Sequence, residues 1–217
     1  MKKIYTLALC LCTLILSACG GSGSDVDDVT GATEQVNGDR GLAKGKMLLI
    51  YFSRAGENWQ VGVVERGNTA VMADYIKELA NVDVFEIKSK NEYPVSYNEM
   101  LKVATNEVDN NARPEYKDEI KNIADYETIF IGGPIWWSRP PMIFRTFFEA
   151  HPELNGKIII PFGTSGGSGI SSYTTLIREY FPKSTVLESL GINGASVRQA
   201  DSKEKVKNWL NKLGIAQ

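Results

Sequence analysis

Unbroken apolar runs alternate along this chain with stretches whose apolar positions recur every three or four residues. The runs at 46–52, 128–133 and 157–162 (KMLLIYF, TIFIGG and KIIIPF) are continuous, and VDVFEI at 82–87 is a shorter one. Continuous runs of this length read as strands buried on both faces, the habit of parallel sheets. Between them, Met72, Tyr75, Ile76 and Leu79 share one helical face. So do Ile143, Phe144, Phe147 and Phe148, then Tyr173, Leu176, Ile177, Tyr180 and Phe181. Val206, Trp209, Leu210 and Leu213 form a last stripe, with Asp201 and Ser202 near its start. Residues 96–109 have a weaker helical period, and 185–192 a weak fifth strand. This predicts an α/β domain, a doubly wound five-stranded parallel sheet with helices on both faces. Most aromatic and methionine residues of the stripes belong to its core. Ligands of such sheets bind outside the carboxyl ends of the strands, which directs attention to the loops after the runs.

Those loops differ in chemistry. Ser53, Arg54, Ala55, Gly56 and Asn58 follow the first strand, and Gly67-Asn68-Thr69 opens the first helix. Helix N-terminal N–H groups, with hydroxyl and amide side chains, hold a phosphate without needing lysine. The same residues also make an ordinary turn and helix cap. Neither a Walker loop nor a GxGxxG fingerprint is present. Pro134, Ile135, Trp136 and Trp137 follow the third strand, just before Pro140-Pro141. Two adjacent indoles are hard to bury together, so one faces a cleft, where stacking on a flat ring is worth about 0.5–1.5 kcal/mol beyond burial. Anchoring the loop is the other role open to them.

Thr164, Ser165, Gly166, Gly167, Ser168 and Gly169 follow the fourth strand and offer backbone donors without bulky side chains. That suits the polar edge of a flavin or a similar ring. GTSGG also fits the GxSxG nucleophile elbow. A serine hydrolase of that type needs a later histidine, yet the single histidine, His151, precedes Ser165. The hydrolase is therefore the third reading. His151, before Pro152, reads as a surface residue at a helix end, and one histidine gives no support to a metal site.

The N-terminus changes the cellular setting rather than the fold. Lys2 and Lys3 precede an apolar stretch at 4–16, too short for the roughly 20 residues of a spanning helix. LSAC followed by Gly20 resembles a bacterial lipobox, which implies a signal peptide at 1–18 and lipidation of Cys19. Cys10 and Cys12 leave with the signal, so the mature domain lacks a free thiol, a disulfide or a cysteine nucleophile. Residues 19–45 are glycine-rich and acidic and read as a flexible tether. Losing Lys2 and Lys3 takes the formal charge from −2 to −4. Five acidic against two basic tether residues account for −3 of that, which leaves −1 on the domain at 46–217. A nearly neutral domain speaks against nucleic acid as a partner.

YFSRAGEN, GNT at 67–69, YP at 93–94, NARPE at 111–115, PIWW at 134–137 and IIPFGTSGGSG at 159–169 together resemble the flavodoxin-like proteins. The resemblance spans about residues 46–213 and is nearest a bacterial branch with an insertion between phosphate loop and first helix. It implies strand order 2-1-3-4-5 and non-covalent FMN. It would place Ser53, Arg54, Ala55, Asn58, Asn68 and Thr69 on the phosphate, Pro134 to Trp137 on one side of the ring, and Thr164 to Gly169 on the other. Electron-carrier members are strongly acidic and often have a glycine beside the ring that reorients on one-electron reduction. This domain is near neutral and 134–141 contains no glycine, so paired-electron chemistry is expected.

The reading that results is a lipid-anchored, FMN-binding redox protein of the bacterial cell envelope. It would exchange electrons with an unidentified partner or small acceptor, with no side chain standing out as a catalytic acid or base. Export of an unfolded chain implies that FMN is acquired outside the cytoplasm, where NAD(P)H is not expected. The alternative is a non-redox lipoprotein that binds another phosphorylated ligand in the same pocket.

Overall fold

The computed structural model describes residues 43–215. The signal segment 1–18, Cys19 and the tether up to residue 42 lie outside the described residues.

The apolar runs become strands, in register with one another. Strand β1 (Met47–Tyr51) leads into a small antiparallel hairpin, β2 (Gly56–Asn58) and β3 (Gly62–Val64), and then into α1 (Asn68–Leu79). There follow β4 (Asp83–Glu86), α2 (Tyr97–Asp109), β5 (Thr128–Pro134), α3 (Ile143–Ala150), β6 (Ile158–Ser165), α4 (Ser171–Tyr180), β7 (Thr185–Val186), β8 (Leu190–Asn193) and α5 (Ala200–Lys212). The main sheet runs β4-β1-β5-β6-β7, all parallel, with β8 also paired to β6. Taking β7 and β8 as one interrupted strand, the order is the expected 2-1-3-4-5.

The interruption has a local cause. The Ile159 and Ser165 carbonyls accept from the N–H groups of Leu187 and Gly194, so odd positions of β6 face the fifth strand. Pro161 is one of them and has no N–H to give. Pairing stops after Val186 and resumes at Leu190.

Side chains alternate across the sheet as the unbroken runs require. Leu48, Ile50, Ile129, Ile131 and Ile159 join a core with residues of α3 and α4. Leu49, Tyr51, Phe130, Ile160 and Phe162 join another with α1 and α5. Helix α2 differs: it buries only Met100, Ala104 and Glu107 and packs beside β2. So narrow a stripe explains its weak periodicity. The fourth strand also runs longer than the apolar pattern indicated, through Gly163-Thr164-Ser165. Gly163 allows this because a Cβ there would lie 2.5 Å from the Gly133 carbonyl oxygen.

Candidate functional site

At the carboxyl ends of β1, β5 and β6 the three loops meet around a cleft of about 330 Å³. Its floor is polar. Ser53 Oγ accepts from the Ala70 N–H at 3.0 Å, capping α1 from the preceding loop because Gly67 at the N-cap has no side chain. A Cβ on Gly67 would stand 2.3 Å from Ser53 Oγ and 2.5 Å from the Arg54 carbonyl oxygen, so glycine is required there. With Ala70 capped, the first-turn N–H groups of Asn68 and Thr69 have no intrahelical acceptor. Both residues are buried and line the cleft.

Arg198 Nη1 donates to Asn68 Oδ1 at 2.5 Å. That fixes the amide's orientation and turns Nδ2 toward Gly194, another lining residue, where even a Cβ would be only 2.6 Å away. Thr69 Oγ1 and Thr164 Oγ1 lie 2.8 Å apart, both buried. Thr164, expected beside the ring, therefore sits on the polar floor next to Thr69. The result is a nest of neutral donors at a helix N-terminus, suited to an anion.

Arg54 also reaches the cleft, but its donors point elsewhere. Nη1 bonds the carbonyls of Pro94 (2.8 Å), Ala55 (3.0 Å) and Val95 (3.2 Å), and Nη2 bonds that of Glu57. It is 8% exposed, and burial lowers its pKa. Among the described residues it is the only cation lining the cleft.

The other end is apolar. Trp136 packs edge-on against Tyr93 (5.0 Å between centroids) and Phe52 (5.6 Å), while Trp137 is 54% exposed. Trp136 and Arg139 exchange backbone hydrogen bonds across Trp137 and Ser138, whose φ values are 50° and 59°. Two positive φ values in a two-residue turn match the type I′ form, uncommon without glycine and strained for so bulky a residue. Pro134 and Ile135 line the slot too. Tyr173, fully buried with its phenol pushed well up by desolvation, donates to the Pro134 carbonyl at 3.3 Å. Ile135 N–H donates to the Thr164 carbonyl at 2.9 Å and ties this loop to the glycine loop.

Asn58, Ser165, Gly166 and Ser168 complete the part of the lining the sequence singled out, whereas Ala55, Gly167 and Gly169 do not line it. Gly167 and Gly169 instead make the loop's turns, at φ 123° and 69°. Trp59, Tyr97, Met100, Leu101, Ser138 and Gly194 also line it and were not singled out. Most stand in polar loops or on the weakly periodic α2; a lone tryptophan in SRAGENWQ was the available signal. Ser165 Oγ accepts from Gly167 N–H at 3.2 Å. His151 is buried, not on the surface: its ring stacks on Phe147 and contacts Tyr116 Oη and Glu153 Oε1. Ser165 thus has no imidazole partner.

The chain matches the Flavodoxin family over residues 46–213 and belongs to it. None of the curated proteins matches. A solved structure of a candidate flavoprotein from Bacteroides uniformis ATCC 8492 is 30% identical, covers 78% of this chain and 99% of its own, and superposes with a TM-score of 0.61. Another, from Bacteroides eggerthii DSM 20697, is 28% identical over 79% and 99%, with a TM-score of 0.59. A flavoprotein of Lactobacillus acidophilus NCFM, solved in complex with FMN, shares the fold at 19% identity over 70% and 95%, TM-score 0.54.

Proposed function

We propose that this flavodoxin-family protein binds FMN without a covalent bond and acts in electron transfer from the cell envelope. The observation that supports it most is the polarity of one cleft: neutral phosphate donors at Asn68 and Thr69, aromatic walls at the other end. The donor set fits a phosphate ester, and Gly67 and Gly194 let Ser53 and Asn68 pack close beside it. FMN would bring the redox chemistry, a flavin that takes up and releases electrons. The chain would hold its phosphate through the first-turn N–H groups, the Asn68 amide and the Ser53 and Thr69 hydroxyls. Trp137 and Ile135 would flank the ring and limit water there. The β2–β3 hairpin fits the family insertion after the phosphate loop. The LSAC-Gly20 sequence supports export as a lipoprotein lipidated at Cys19, and with it an envelope location.

Titrating the purified protein with FMN and riboflavin tests the reading. Wild type should bind FMN saturably and more tightly than riboflavin. Thr69→Ala should weaken FMN about ten- to a hundredfold, the worth of a hydrogen bond to a charged group, and leave riboflavin unchanged. Equal affinity for both flavins in the wild type would refute the phosphate assignment. Binding of neither would favour a lipoprotein for some other phosphorylated ligand.

A further inference from the structure

We propose that Trp59 is a ring-contacting wall of the cleft and that Arg54 is the positioning residue that holds it there, rather than a ligand of the phosphate. This rests on the FMN reading. Trp59 lies in the β2–β3 turn and lines the cleft, yet is 58% exposed. It is held on two sides: its ring tilts against Tyr97 (5.7 Å, 33°), and a Cβ added to Gly166 would stand 3.1 Å from its Cδ1. The indole thus spans from the start of α2 to the loop after β6. A large aromatic fixed at a cleft mouth and left open to it offers a flat ring a face to stack on.

A hairpin with three residues per strand does not hold its shape unaided. Its base is stapled to residues 94–97. Arg54 supplies the staple: both terminal nitrogens are used on carbonyls, two in the hairpin segment (Ala55, Glu57) and two before α2 (Pro94, Val95). Glu57 adds to it, its N–H donating to the Val95 carbonyl and its Oε2 accepting from Tyr97 N–H, both at 2.8 Å. Burying a guanidinium is costly, and one that served a phosphate would turn its fork toward the anion. Here both terminal nitrogens are turned to carbonyls instead.

The test is flavin titration of the full-length protein by fluorescence, with folding followed by circular dichroism. Trp59→Ala should weaken FMN and riboflavin by the same factor, roughly two- to tenfold for one stacking contact, and reduce the quenching of bound flavin. Arg54→Met should also weaken both flavins equally and add little to Trp59→Ala in the double variant. Arg54→Lys, which keeps the charge but not the fork, should behave as Arg54→Met does, and it decides the matter if the Met variant does not fold. If Arg54→Met or Arg54→Lys weakens FMN and spares riboflavin, Arg54 is a phosphate ligand and the inference fails. It also fails if Trp59→Ala leaves both affinities unchanged while wild type binds. A wild type that binds neither flavin overturns the functional reading as well.

Discussion

Two neighbouring tryptophans serve opposite purposes. Trp136 is wedged edge-on between Phe52 and Tyr93, whereas Trp137, turned outward by a positive φ, faces the cleft and solvent. Denaturant unfolding and flavin titration separate the two roles. Trp136→Ala should cost about 3 kcal/mol of stability, as loss of a packed aromatic does, and Trp137→Ala no more than about 0.5 kcal/mol. Trp137→Ala should instead alter the spectrum of bound flavin. The reverse pattern would exchange anchor and ring contact. The sequence shows that the pair cannot share one fate. It does not show which tryptophan turns out, because the turn that decides is built without glycine. The same limit applies to Arg54: its position after β1 suggested an anion ligand, and only the fold brings residues 94–95 to its guanidinium.

At the scale of elements, α2 stands apart from the others, and Glu107 on its narrow buried face is its least ordinary residue. Glu107 Oε2 and Tyr93 Oη are both buried without a hydrogen-bond partner among the described residues, and a crevice that Glu107 shares with Trp136 and Arg139 runs alongside. Burial raises the Glu107 carboxyl above 4.5. Below about pH 4.5 the carboxyl is protonated folded or unfolded, so its favourable contribution is complete there. As pH rises past the unfolded value the unfolded chain ionises first, and stability drains away until the raised folded value is passed. Glu107→Gln does not titrate, so its stability relative to wild type should climb between about pH 4.5 and neutrality. Urea unfolding across that range measures it, and a pH-independent difference would show the carboxyl to be unperturbed. The sheet and the helices over its faces were legible as unbroken runs and wide stripes. The β2–β3 hairpin, α2's place beside it and the extension of β6 were not, since short polar strands and glycines carry little period.

On the scale of the whole molecule, the parallel sheet was legible because strands alternate with helices, whereas its order followed only from the resemblance to the flavodoxin-like proteins. The proposed anchor is tested in the cell: if Cys19 carries the lipid, Cys19→Ser should release the protein from the membrane fraction. A variant still bound after a salt wash would mean that the lipobox reading is wrong or that another anchor exists. Salt bears differently on the cleft itself. Its polar floor is lined by amides, hydroxyls and N–H groups, and the one cation that lines it among the described residues is already held by carbonyls. Ionic strength screens separated charges far more than it weakens short hydrogen bonds at a helix end. FMN affinity should therefore change by less than about threefold between about 0.05 and 0.5 M salt. Cofactor occupancy would then be indifferent to the ionic strength around the protein, and a molecule loaded at low salt would keep its flavin when the salt rises.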